Sequence, residues 1–142
     1  MKKTILLLVI LLICLAVCAT GFSISYRNVT KEVGSFNNQF EKYKNEEITG
    51  SELGSIMNLI VNENEKQKIA KDDKGLYQEN KETSIIMEVY IKDNNTIYRM
   101  ETFYGSGTER FIQNFSTETF KCTKIEYHPK TKRVKYLYFE QL

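Results

Sequence analysis

KKTILLLVILLICLAVCATGFSISYRNVTKEVGSFNNQFEKY, residues 2–43, reads as one long helix with two characters. From Thr4 to Phe22 it is mostly Leu, Ile, Val, Cys and Ala, without a charge. Beyond that run a phase persists. Phe22, Tyr26, Val29, Val33, Phe36, Phe40 and Tyr43 succeed one another at steps of four and three, so they share one helix face. The apolar part, about 20 residues at roughly 1.5 Å each, matches the hydrocarbon core of a bilayer. The expectation is a membrane anchor at 1–24 whose helix continues as an amphipathic stalk into one small domain, 25–142.

A cleaved signal peptide competes with this reading, since Val17 and Ala19 precede a conceivable cut. Leu15-Ala16-Val17-Cys18 is also shaped like a lipoprotein signal, with bulky Val17 where a small residue belongs. The long apolar run and the unbroken phase favour an uncleaved anchor. Lys2 and Lys3 oppose Arg27 and Lys31 across the bilayer, and the short basic tail points to N-terminus inside, domain outside.

Setting aside Lys2 and Lys3 leaves 18 basic residues against 18 acidic ones. The domain is therefore neither a globally basic nucleic-acid binder nor an acidic tail, and a nucleic-acid partner is disfavoured. Of the three cysteines, Cys14 and Cys18 lie in the apolar run, so Cys122 has no soluble partner for an intramolecular disulfide. It reads as a small buried hydrophobe.

After the stalk, residues 45–48 break the pattern. Thr49-Gly50-Ser51-Glu52 then forms a capping box, and Leu53, Ile56, Met57 and Ile60 give a second helix over about Gly50–Glu63. The two helices are expected to lie antiparallel, with Phe36, Phe40 and Tyr43 facing Ile56, Met57 and Ile60. Residues 62–83 read as a polar connector with local strand character near Leu76 and Tyr77. Asp72 and Asp73 lack the spacing of a calcium loop. Period-two stretches at 84–92, 96–103, 117–127 and 133–140 predict four strands in two hairpins. Between the hairpins, Gly105-Ser106-Gly107 is a turn without a phosphate-loop ending, and Thr108 caps a short helix bearing Phe111, Ile112 and Phe115. The predicted class is α+β, with a four-stranded antiparallel sheet.

No catalytic constellation emerges, and neither a cofactor nor a metal site is implied. His128 is the single histidine, in a predicted surface turn. Glu88 and Glu101 are expected to oppose one another across the first hairpin, a commonplace arrangement. One local bias stands out: Lys121, Lys124, Lys130, Lys132, Arg133 and Lys135, interleaved with Tyr127, Tyr136 and Tyr138. It suits either an anionic partner or a charged sheet edge that discourages pairing.

The stretch Val33–Asn64, VGSFNNQFEKYKNEEITGSELGSIMNLIVNEN, resembles small single-pass membrane proteins of low-GC Gram-positive bacteria. Their post-membrane segment carries FNxQFexY, a turn, GS-acidic-L and an apolar helix ending in Asn. Here Phe36, Asn37, Gln39, Phe40, Tyr43, Gly50, Ser51, Glu52, Leu53, Leu59, Ile60 and Asn64 fill that pattern. The resemblance implies an uncleaved anchor and a helical hairpin, and no activity. A looser likeness to type IV pilins is architectural, because Gly21-Phe22 follows the apolar run and no Glu stands near its start. The expected function is a membrane-tethered, non-enzymatic interaction or assembly protein outside the cytoplasm, its partners the bilayer and an envelope protein or itself. A pilin-like subunit and a small carboxylate-based wall enzyme are the alternatives.

Overall fold

The computed structural model describes residues 2–104 and 108–142. The turn expected at Gly105-Ser106-Gly107 and the capping side chain of Thr108 lie outside the described residues. The chain forms two compact units, 1–35 and 36–142.

The first unit is helical and belongs to α1 (Lys2–Glu41). Its best 18-residue window has a mean hydropathy of 3.1 and none of it is buried, so α1 is long and apolar enough to cross a membrane. Phe22, Tyr26 and Val29, on the predicted stalk face, are exposed. Serine and threonine along this helix bond back to carbonyls one turn earlier, as Ser23 does to Ala19, which satisfies their hydroxyls without an outside partner.

The second unit is α+β. It begins with the last turns of α1 and continues β1 (Glu47–Thr49), α2 (Gly50–Lys66), β2 (Ile86–Ile91), β3 (Thr96–Arg99), α3 (Met100–Tyr104), α4 (Thr108–Phe115), β4 (Thr119–Tyr127) and β5 (Val134–Gln141). The capping box forms as the sequence predicts. The Thr49 hydroxyl accepts from the Glu52 amide at 3.3 Å, and a Glu52 carboxylate oxygen accepts from the Thr49 amide at 2.9 Å. These bonds hold the Glu52 carboxyl below its ordinary range.

The sheet corrects the expected strand plan in two ways. It has five strands in the order β1-β4-β5-β2-β3, because Glu47–Thr49, at the end of the predicted break over 45–48 and including the capping Thr49, pairs with β4 at its edge. It is also mixed: the two hairpins join through a parallel pairing of β2 with β5. Alternation tells which residues share a face but not the direction of the neighbouring strand. The path from β2 to β5 passes through two helices, which allows a parallel neighbour. The return strand of the first hairpin is shorter than predicted, since Met100–Tyr104 turns helical. Glu101 is therefore not opposite Glu88, whose cross-strand partner is Arg99.

One face of the sheet carries the core. Met87, Val89, Phe120, Cys122, Leu137 and Phe139 meet Leu53, Ile56, Met57 and Ile60 of α2 and Phe40 of α1, all buried. The principal helical neighbour of α2 is α4, rather than the end of α1 that the predicted hairpin implied. Gly50 explains how close they come: a Cβ there would lie 1.8 Å from the Phe115 carbonyl oxygen, so only glycine fits. Phe103, Phe111, Phe115 and Phe120 then form an aromatic cluster with centroids 4.9–6.4 Å apart.

Candidate functional site

Two regions of the domain combine polar groups in a way that ordinary core packing does not require. The first is the seat of the last turns of α1. Asn37 is buried there, its Nδ2 donating to the Lys132 carbonyl at 2.8 Å and its Oδ1 accepting from the Val134 amide at 3.0 Å. The side chain thus acts like a short piece of strand beside the start of β5. Next to it the Arg133 guanidinium lies 3.9 Å from the Phe36 ring centroid and pairs with Glu63 of α2 at 2.7 Å. On the far side the Tyr127 hydroxyl donates to Glu41 at 2.7 Å. Burial and this bond push the phenol up to about 12.

The second region is the sheet face opposite the core. Side chains on paired residues share a face, and register sets three rows across it. Ile86, Tyr136 and Glu126 form the first, Arg99, Glu88, Tyr138 and Lys124 the second, and Ile97, Tyr90, Glu140, Lys121 and Glu47 the third. Apart from buried Ile86, the residues of these rows are exposed or half-buried. The connector between α2 and β2 brings Glu79 over the first row, and the result is a cleft of about 240 Å³ lined by Glu79, Ile86, Glu88, Arg99, Glu126, Lys135 and Tyr136.

Within the cleft the charges are arranged in sequence. Lys135 Nζ lies between Glu126 at 3.2 Å and Glu79 at 3.6 Å. Lys124 meets Glu126 at 2.6 Å from the rim. Bonds from Lys124 and then Lys135 hold the Glu126 carboxyl low, and the bond to Glu126 holds the Lys135 ammonium high. The Tyr136 hydroxyl donates to Glu88 at 2.7 Å, and burial followed by that carboxylate pushes its phenol well up. Arg99 turns its charge inward, to Glu101 at 2.7 Å and the Tyr77 carbonyl at 3.0 Å. Among the described residues, Glu101 Oε2 and Arg99 Nε are buried without a hydrogen-bond partner.

The six basic residues picked out in the sequence do not form one patch. Lys121, Lys124 and Lys135 belong to the open face, whereas Lys130, Lys132 and Arg133 belong to the β4–β5 turn. Four of them are met by carboxylates: Lys124 and Lys135 as above, Lys130 by Glu82, and Arg133 by Glu63. Lys121 and Lys132 make no ion pair among the described residues. His128 is not on the surface as expected. It is 1% exposed and its Nε2 bonds the Ser84 carbonyl at 2.8 Å, which ties the turn to the start of β2. Cys122 is buried as predicted, and burial pushes its thiol up to about 11. No group of three metal-ligating side chains converges among the described residues.

The cleft was not legible in the sequence because its residues come from four strands and a connector. The meeting of its β2 and β5 residues follows from the β2–β5 pairing, which alternation alone does not specify. No known family model, characterised protein or solved structure matches the chain.

Proposed function

We propose that this protein is a membrane-tethered recognition module. The apolar part of α1 anchors it, and the open sheet face is the surface by which the domain engages a partner outside the cytoplasm. The observation that carries the anchor is the charge-free, wholly unburied apolar window in α1. In water such a helix would expose Leu6, Leu7, Leu11 and Leu12, each more than half exposed here, whereas hydrocarbon accepts them favourably. The outside location rests on the basic tail before the span. The resemblance of Val33–Asn64 to small single-pass proteins of low-GC Gram-positive bacteria agrees with an uncleaved anchor and implies no activity.

A binding role accords with the make-up of the cleft: among the described residues its lining contains no histidine, cysteine, serine or threonine, and Lys135 and Tyr136 pair with Glu126 and Glu88. The test is protease treatment of intact cells, with the domain followed by a C-terminal epitope. Loss of the epitope signal without lysis is the expected result. Because Cys122 is buried, thiol labelling for the same purpose needs Lys130→Cys, at a side chain 76% exposed. Protection from protease, together with labelling of that cysteine only after lysis, would place the domain inside. Recovery of a homopolymer in a mild-detergent pull-down would favour the assembly-subunit alternative.

A further inference from the structure

We propose that the cleft on the open sheet face binds a small organic ammonium compound, with Glu88 as its counter-charge. This deepens the recognition role above by naming a ligand class, and it rests on that role only in taking the open face as the binding surface.

The charge count identifies the sign of the ligand. Arg99 is neutralised from behind by Glu101, whose side chain is only 6% exposed. Three carboxylates, Glu79, Glu88 and Glu126, then face Lys135 and the rim residue Lys124, which leaves the cleft with one negative charge in excess. That excess sits on Glu88. One of its oxygens accepts from the Tyr136 hydroxyl, and the other has no partner among the described residues. Glu88 is also partly exposed, so a ligand reaches it from solvent.

The protein's own side chains indicate the kind of cation. Lys135 is a primary ammonium already seated between two of the cleft carboxylates, within 3.2 and 3.6 Å. A second lysine, Lys124, places its ammonium 5.5 Å from the Tyr136 ring centroid, so the aromatic face accepts cationic groups as well. Nearly buried Ile86 and the Tyr136 ring supply apolar contact for a carbon skeleton. A metal ion fits less well, since no trio of ligating side chains converges among the described residues. A volume of about 240 Å³ is below the usual range for ligand sites, which restricts the ligand to a compact molecule or one terminal group of a larger one.

Alkylamines and amino sugars share this chemistry, and the experiment separates them. The full chain in a non-ionic polyoxyethylene detergent at low salt is titrated calorimetrically with ethanolamine, glucosamine and N-acetylglucosamine. Saturable binding of the two amines, with none of the neutral acetylated sugar, is the expected result. Tighter binding of glucosamine identifies an amino sugar, and tighter binding of ethanolamine an alkylammonium. Glu88→Gln keeps an acceptor for Tyr136 but removes the charge, and should weaken binding about tenfold with an unchanged melting temperature. Should that variant unfold, Glu79→Gln, at a rim side chain 62% exposed, must show weakening instead. Absence of saturable binding by both amines, equal binding of N-acetylglucosamine, or full affinity in a folded Glu88→Gln chain would overturn the proposal. None of these outcomes bears on the anchor, which membrane extraction tests separately.

Discussion

Two buried asparagines do the same job at the starts of the neighbouring parallel strands β5 and β2. Asn37 brackets β5 through Lys132 and Val134, and Asn64 brackets the start of β2, donating to the Ile85 carbonyl at 2.7 Å and accepting from its amide at 2.9 Å. In each case a side-chain amide supplies the donor and acceptor that a neighbouring strand would have provided, where the backbone would otherwise be buried unpaired. Asn64→Ala removes both partners of Ile85 in a fully buried site. With each orphaned group costing about 1–3 kcal/mol, the expected loss is about 3 kcal/mol, read as a lower denaturant midpoint of the full chain in detergent. An unchanged midpoint would mean that water replaces the amide there. The sequence marked Asn64 as the end of a motif but not as a strand substitute, because its partner lies 21 residues away. A long-range bond of this kind has no periodic signature.

At the scale of elements, local chemistry was legible and pairing was not. The helix starting at Gly50 announced itself through the Thr49–Glu52 capping box and the spacing of Leu53, Ile56, Met57 and Ile60, and it runs one turn further than expected. The strands near 86–91, 119–127 and 134–141 form where the sequence predicts them, with alternation interrupted at the bulges near Thr123 and Tyr127. The edge strand at 47–49 is three residues long, too short to carry a pattern, and the parallel union of β2 with β5 is set by how the helices cross the sheet. The stalk divides likewise. Its one continuous face in sequence has exposed Phe22, Tyr26 and Val29, then partly buried Phe36 and fully buried Phe40. Phe36 and Phe40 pack edge to face at 5.4 Å, which makes Phe40 a core residue of the domain. Phe40→Ala should therefore cost about 3–5 kcal/mol, a large share of the roughly 5–15 kcal/mol that holds a domain together. Thermal denaturation followed by circular dichroism checks it, and a folded variant with an unchanged melting temperature would show that the core was misplaced.

For the molecule as a whole, the division of labour is between an apolar helix and a sheet with one face covered and one open. The core-side face is sealed by α2, α4 and the end of α1, while the open face gathers tyrosines, carboxylates and lysines in register. The class of the fold followed from helix and strand periods alone. The cleft followed only from the order of the strands, which is why the sequence pointed instead to six cations that the structure distributes over two places. The membrane-tethered role depends on α1 holding the chain in a bilayer. Sodium carbonate extraction of membranes at alkaline pH, followed by immunodetection of the full-length chain, tests this most directly. The chain is predicted to remain wholly in the membrane pellet at its uncleaved mass; its release into the supernatant, or its recovery as a shortened soluble form, would contradict the account.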